Sequence, residues 1–577
     1  MSEKIISPGV FQNESDQSLV ERGIQGTATA VVGPTVSGQP LVPTYVTSFS
    51  EFQSKFGTTF KSGSYYYEYL TSIAAREFFQ NGGQTLLVTR VVSGSANVSN
   101  YASATVFNLS SSLYTGSTAA FTLETIAWGN QMNNTSSISG GALASGSAVN
   151  VRWEVTNVNT GSGVFTLAVR RGDDNTTNPN YIETWPNLSL DPALPNYISR
   201  VIGDTKPVYT VDSDGNPYIA INGSFANASQ YIRVASITAP QVDSIDNNGN
   251  FKTSYILGLP TLGSGSFGGS FNGGFAATTT EQKMNENITP TNLEGFSVAD
   301  YNTALALLTN KDEYQFNVLL APAVGLDCAA ASTVISVAEG RGDAFAPIST
   351  GIYGTSITAA TNTAAGQSSN YSATYYPWIQ LYNSNLGKNV WATPTTVMGG
   401  VLAFNDQVGA EWFAPAGLNR GGVPSVLRAE RKLSQADRDT LYSANVNPLA
   451  TFPGEGVVVF GQKTLQRRAT SLDRVNVRRL LIALKDFIGQ VGNNLVFEQN
   501  TNATRNRFLA QVNPYLESVV QRQGLYAYKV VMDDTNNTPD VIDRNQLVGQ
   551  IYIQPTKTAE FIILNFNVLP TGATFPA

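Results

Sequence analysis

Histidine is absent from this 577-residue sequence. That excludes Ser-His-Asp and Cys-His nucleophilic catalysis, together with every histidine-bearing zinc site. Cysteine occurs once, at Cys328, so no disulfide closes within the chain and no multi-thiolate metal site forms. A lone thiol reads as a small core residue and fits assembly in a reducing cytoplasm. Charge is scarce as well: 13% of residues are charged, about half the roughly 25% of ordinary globular chains. Gly, Asn, Ser and Thr fill the gap, which suits β-rich surfaces that pack on one another rather than repel. The net charge of −7 gives no bulk attraction to nucleic acid or to an acidic membrane. Long apolar runs are missing too. Val457–Phe460, Leu480–Ile482 and Phe561–Leu564 fall far short of the ~20 residues that cross a bilayer. Met1-Ser-Glu-Lys leads to Pro8-Gly9 without an apolar h-region, so neither a signal peptide nor membrane insertion is expected. With the usual neutral-pH acid and base gone, the expectation is a protein that is not an enzyme and has no catalytic residue, cofactor or metal.

What is present concentrates at the two ends. Residues Leu547–Pro555 and Phe561–Val568 read as strands, and Ile562, Leu564, Phe566 and Val568 share one face opposite Asn565 and Asn567. Chain ends are usually polar and frayed, so a half-apolar terminal strand needs something to pair with. Ile5-Ile6-Ser7-Pro8-Gly9-Val10-Phe11 poses the same problem at the other end. Two such termini point to strands donated to neighbouring subunits, a route to a polymer. The expected donors are Ile6, Pro8, Gly9, Val10 and Phe11, and Phe561, Ile562, Ile563, Leu564, Phe566 and Val568.

The length suggests three or four domains at ~100–200 residues each. Strands are expected at Ala28–Val32, Leu41–Val46 and Leu86–Val92, with helices at Ser50–Phe56 and Tyr65–Phe79. From Ser93 to about Asn196, Ser/Thr/Asn-rich segments alternate with strands such as Val151–Val155 and Val164–Arg170. Helix–strand alternation returns between Tyr197 and Met398, with a helix over Val298–Thr309 and strands at Phe316–Leu320, Ala344–Ile348 and Tyr371–Leu381. Beyond Gly399, a long amphipathic helix capped by Ser471 and a second from Ala503 are expected, then a hairpin of Leu525–Met532 with Val541–Ile542. The resulting fold class is α/β and α+β multidomain. It comprises an N-terminal arm (1–22), an α/β middle domain (23–92 and 197–398), an inserted β-rich domain (93–196), an α/β C-terminal domain (399–546) and C-terminal strands and arm (547–577).

Several short motifs carry little. Gly263-Ser-Gly265-Ser-Phe-Gly268 has the dinucleotide-loop letters but no helix behind it. Arg341-Gly342-Asp343 falls where a turn is expected anyway. Asp173-Asp174, Asp437/Asp439 and Asp533-Asp534 lack the calcium-loop pattern and read as turns and solvated faces. The basic bias near the C-terminus says more: between Gly461 and Val530 stand eleven basic residues and only four acidic ones. Arg474, Arg478, Arg479 and Lys485 are the candidates there for docking on an acidic protein, while some of the set should sit in internal salt bridges. No aromatic platform is interleaved with them, so nucleic acid is not expected.

Taken in order, pieces along the chain resemble the tail sheath proteins of contractile phage tails. They are Ser7-Pro8-Gly9-Val10 with Glu14, Ser48–Gly57, Phe78-Phe79-Gln-Asn81-Gly82-Gly83, Asn187–Pro192 and Tyr375-Tyr376-Pro377-Trp378. Trp412–Gly421, Val475-Asn476-Val477-Arg478-Arg479, Asn536-Asn537 and Ala559-Glu560-Phe561 complete the set. The resemblance implies a structural subunit that polymerises as stacked hexameric rings around a tail tube and contracts to drive the tube through the host envelope. It implies an inner C-terminal domain facing the tube, an outer inserted domain, and arms that add strands to neighbouring subunits. The implied partners are further copies of the chain, the tail tube protein, and baseplate and tail terminator proteins. The implied location is the virion, after assembly in the host cytoplasm. A sheath of a contractile bacteriocin or injection system is the alternative within this class, and a passive surface-layer protein stands further off.

Overall fold

A computed structural model describes residues 28–62, 65–92, 103–107, 109, 119–127, 138–144, 146–148, 150–238, 240–268 and 284–560. The two terminal segments expected to donate strands, Ile6 to Phe11 and Phe561 to Val568, lie outside the described residues. The chain is a mixed α/β multidomain protein, with 27% helix and 32% strand, and its apolar side chains gather in three cores.

The largest core surrounds two sheets. In the first, Ala28–Gly33 lies between the parallel strands Phe316–Leu320 and Leu86–Arg90, and Thr44–Val46 closes the edge antiparallel. All six residues of Ala28–Gly33 and all five of Leu86–Arg90 are buried, as continuous apolar runs in a sheet covered on both faces should be. The second sheet runs Ala346–Ser349, Ser372–Tyr376, Val446–Phe452, Gly456–Val459, and a parallel bridge between Val318 and Phe345 joins the two. Helix Leu70–Gln80 shows how distant sequence completes local structure. Its N-cap residue, Tyr69, offers no side-chain cap, and the Glu294 carboxylate accepts the Leu70 N–H instead, at 2.9 Å. Burial raises the Glu294 carboxyl to about 8 against that one opposing bond.

A second core belongs to antiparallel sheets: Tyr181–Leu188, Val164–Arg171, Val151–Asn159, Gly263–Ser266, and Ile232–Ile237, Ala119–Thr125, Ser103–Phe107. It draws on side chains from Ala104 to Phe267, including Ile198, Ile202, Ile232 and Val234. The sequence reading ends the β-rich insertion at 196, whereas this core continues some seventy positions further because the returning strands pair with the early ones. The third core is helical and is formed by Val475–Asn493, Asn502–Gln521, Trp412 and the ribbon of Leu525–Val531 with Gln550–Pro555.

Four other expectations are corrected. Tyr65–Phe79 is not one helix: Tyr65–Glu68 is a strand paired with Thr59–Ser62 before helix Leu70–Gln80 begins, as three consecutive tyrosines favour. Tyr371–Leu381 divides at Pro377 into Ser372–Tyr376 and Ile379–Asn383, which enter different sheets. The boundary at 398/399 falls inside helix Thr395–Val408. Gly400 of that helix lies so close to helix Leu70–Gln80 that a Cβ there would stand 2.8 Å from the Glu77 carbonyl, so the helix belongs to the first core. The partner of Leu525–Val531 is Gln550–Pro555, not Val541–Ile542, which lies in the short helix Pro539–Asp543 opened by Pro539. Pro514 sits inside helix Asn502–Gln521.

Candidate functional site

The last described residue, Glu560, is the best-held polar group near the C-terminus. Three segments converge on it. Helix Gln435–Ser443 begins with a reciprocal cap between Ser434 and Asp437 and presents Tyr442. The chain leaving strand Gly456–Val459 presents Gln462, and the residue preceding helix Val475–Asn493 is Arg474. Backbone bonds fix these last two together: Val475 N–H donates to the Gln462 carbonyl at 2.9 Å and Thr464 N–H to Asp473 at 3.0 Å. The Asn447 side chain accepts from Lys463 N–H and donates to the Thr374 and Lys463 carbonyls.

Into this preformed notch the Glu560 carboxylate accepts from Arg474 Nε at 2.7 Å and Nη2 at 3.0 Å. It also accepts from Tyr442 O–H at 2.8 Å and Gln462 Nε2 at 3.1 Å. A forked guanidinium on a carboxylate is the strong form of a charge-assisted bond. The approach is pinned as well: Gln462 donates to Thr558 Oγ1 at 2.6 Å, and Thr556 Oγ1 donates to the Gln523 carbonyl at 2.7 Å. Glu560 is thereby held at a fixed point. Burial pushes the Glu560 carboxyl up, but its bonds from Arg474, Tyr442 and Gln462 outweigh it and hold the pKa below the ordinary value.

A depressed carboxylate pKa contributes stability above its unfolded value, and that contribution is lost as pH falls through the folded value. Glu560→Gln should cost about 1.5–3 kcal/mol, the range for hydrogen bonds to charged groups. The gap between the two proteins in denaturant midpoint should be full above about pH 5 and close on acidification. A gap independent of pH would mean the carboxylate charge is not what holds the notch.

The cations expected to face outward are placed differently from one another. Arg474 is committed to Glu560. Arg479, 3% exposed, forks onto Asp406 at 2.7 and 2.6 Å. Arg478, equally buried, donates to Asn370 Oδ1 at 2.8 Å and lies 4.0 Å from the centre of the Tyr371 ring. Lys485 is exposed and donates to the same tyrosine's hydroxyl at 3.3 Å. Arg478 and Arg479 are thus turned into the chain, Arg479 on its carboxylate and Arg478 with its Nε left without a hydrogen-bond partner among the described residues, and only Lys485 of the four presents an exposed head. Other basic residues of the segment are paired too, Arg505 with Asp534 and Arg507 with Glu498.

The remaining sequence motifs are structural. Gly263–Ser266 is an edge strand, with Gly265 against the Trp153 ring. Arg341 donates to Asp343 and to the Leu308 and Tyr314 carbonyls, around the left-handed C-cap Gly342. Asp174, read as part of a solvated turn, is buried between Arg152 and Arg170. Cys328 is buried and accepts the Ala330 N–H as a helix cap. Among the described residues no three metal-ligating side chains cluster, and no helix is long and apolar enough to cross a membrane. Sequence reasoning missed Tyr442, Gln462 and the structural use of Glu560. No local pattern links positions 442, 462, 474 and 560; only the fold brings them together.

Comparison with known proteins extends across this region. Residues 294–465 match the phage tail sheath protein central domain, and residues 468–569 match the phage tail sheath C-terminal domain. The tail sheath protein of Enterobacteria phage T4 is 41% identical over 187 residues, covering 32% of this chain and 28% of that protein. That of Vibrio phage KVP40 is 40% identical over 194 residues, covering 34% and 29%. The matched stretch thus spans less than a third of either relative's length. The crystal structure of the sheath tail protein from Listeria innocua has a similar fold, with a TM-score of 0.51 at 11% identity, over 92% of this chain and 95% of that one.

Proposed function

This chain belongs, through its central and C-terminal domains, to the phage tail sheath protein family, and from that membership we propose that it is the subunit of a contractile tail sheath. The family is a structural, non-enzymatic one. The observation that carries the proposal is the pair of adjacent family matches, 294–465 and 468–569, which together take in the second sheet, the helical core and the Glu560 notch. The subunits stack as hexameric rings around a tail tube in the virion, between a baseplate and a terminator, and the sheath they form shortens on contraction. The first core and its sheets form the middle domain, 28–92 with 284–465. The β-rich insertion, 103–268, is the outer domain, and 468–560 is the inner one.

Polymerisation runs through donated strands. The ribbon of Leu525–Val531 and Gln550–Pro555 packs one face on the helices through Tyr528, Val530, Ile551 and Ile553. Tyr552 stands exposed on the other face, at 58%, and Tyr526, at the irregularity between Leu525 and Ala527, is exposed at 66%. Among the described residues no strand lies beside either outer edge. A lone two-stranded ribbon is marginal in water, and its open edges are templates for added strands. The segments 1–22 and 561–577 of neighbouring copies supply them.

Negative-stain microscopy of the purified full chain tests the proposal. Hollow, cross-striated cylinders are expected. Flat lattices, or monomers that persist at every concentration, would contradict it.

A further inference from the structure

A cleft of about 510 Å³ opens beside the second core, within the ~300–1,000 Å³ typical of small-molecule sites. Its lining comes from three places. The strand pair Ala119–Thr125 and Ile232–Ile237 sets Glu124 opposite Arg233. The base of the hairpin Lys206–Val211 with Pro217–Asn222 sets Lys206 opposite Asn222. Tyr197, the residue before helix Ile198–Ile202, lines it as well. Tyr209 and Ile219 of the same hairpin pack on the first core, so the cleft lies where the β-rich insertion meets that core. Junctions of this kind are where ligand pockets commonly form.

The polar groups around the cleft are buried and held in place. Glu124 and Arg233 are 8% and 1% exposed, and Glu124 accepts from Arg233 Nε at 2.8 Å and from Lys206 Nζ at 2.9 Å. Asp204 accepts the Ser224 and Phe225 N–H groups at 2.8 Å each. Asn227 brackets the adjacent Thr205, accepting its N–H and donating to its carbonyl. Strand Ile232–Ile237 breaks register between Val234 and Ser236, leaving Ala235 and Ser236 exposed. Bulges of this kind re-aim side chains and gather beside functional sites. A junction that served packing alone would be filled with apolar side chains, because a buried ion pair contributes little net stability over them. Here the charges surround open space instead.

The lining chemistry selects the ligand. Its charged residues are two cations, Lys206 and Arg233, and two carboxylates, Glu124 and Asp204. The cleft is therefore neutral overall and favours neither an anion nor a cation. Carboxylates only accept hydrogen bonds and these cations only donate, and both kinds stand here beside the Asn222 amide and the Ser236 hydroxyl. A ligand that satisfies such a mixture carries many groups able to donate and accept at once, as hydroxyls do. Tyr197, set edge-on to Phe225 at 6.2 Å between ring centres, adds an apolar face against which ring carbons can lie. We propose that the cleft binds a neutral saccharide. The inference does not depend on the sheath reading, and it gives the β-rich insertion a ligand-binding role of its own.

The test titrates the full chain by calorimetry with maltotriose, mannotriose and chitotriose, and with a heparin tetrasaccharide as the acidic comparison. At least one of the neutral trisaccharides should bind saturably. Ser236→Trp, which fills the cleft from an exposed position, should weaken that binding at least tenfold and leave the melting temperature unchanged. Asn222→Ala, also at an exposed position, should weaken it about fivefold, as loss of one hydrogen bond does. Absence of binding by all three neutral sugars, undiminished binding by Ser236→Trp, or tighter binding of the heparin fragment would overturn the inference and leave the sheath reading standing.

Discussion

Truncation after Glu560 is expected to abolish cylinder formation while leaving the subunit folded. The removed segment carries Ile562, Leu564, Phe566 and Val568, whose burial in a neighbour contributes about 1.5–3 kcal/mol per side chain. Backbone pairing of a five-residue strand adds roughly 0.5–1.5 kcal/mol per hydrogen bond. Association costs about 4–15 kcal/mol, so strand pairing alone is marginal and the apolar face decides the outcome. On the proposed reading, two donated segments per subunit make the lattice multivalent, so losing one is expected to remove far more than half its cohesion. The notch around Glu560 survives this truncation, which is why the cut is placed there. Sedimentation of the truncated chain should show monomers with an unchanged melting temperature. Replacing Leu564 and Phe566 together by Asp should reproduce the effect without shortening the chain, and cylinders from either variant would show that other contacts suffice.

Arg479→Ala is expected to be the most damaging single substitution in the C-terminal region. The guanidinium is almost wholly buried where the first core meets the helical one, forked onto Asp406 of helix Thr395–Val408. Removing one member of a buried pair leaves the other uncompensated, at about 3–5 kcal/mol. Asp406 keeps 30% side-chain exposure, which places the expectation near the lower end. Glu411 lies in the same junction, where burial raises its carboxyl to about 7 and Arg479 opposes that rise. Loss of Arg479 should therefore deepen the penalty as pH rises, because Glu411 becomes harder to ionise. Arg478→Ala, which gives up one hydrogen bond and a ring contact, should cost about half as much or less. Unfolding of a chain with three cores need not be two-state, so amide exchange in helix Val475–Asn493 is the appropriate readout. Equal effects from the two arginines would show that the fork onto Asp406 is not what holds the junction.

Periodicity made the long helices and the buried central strands legible. Val475–Asn493 and Ala28–Gly33 lie where spacing and apolar runs place them, because their signals are local and repeated. The expected Ser471 cap is corrected: Ser471 sits in a preceding 3-10 turn capped by Thr470, and the helix opens at Arg474 with no side-chain cap. The failures occurred where the deciding contact is distant. Gln550–Pro555, not Val541–Ile542, completes the ribbon because Pro539 opens a helix turn, and Asn537 holds Val548 across the gap. The β-rich core extends past 196 because later strands return to pair with earlier ones. Charge counting found the basic segment but not its use. Arg478 and Arg479 carry the same letters as surface cations, and only their burial distinguishes them. Glu560 was visible as a family-like residue, while its role depends on three partners far apart in sequence.

The claim at the centre is that the chain's C-terminal segment completes another copy rather than its own. A cryo-electron microscopy map of the assembled polymer, with the backbone traced continuously beyond Glu560, tests it most directly. The expected map has Ile562–Val568 paired along a ribbon edge of a neighbouring subunit, with its apolar face towards that neighbour's helical core. A segment that turns back and pairs with its own ribbon, or runs free into solvent, would contradict the claim.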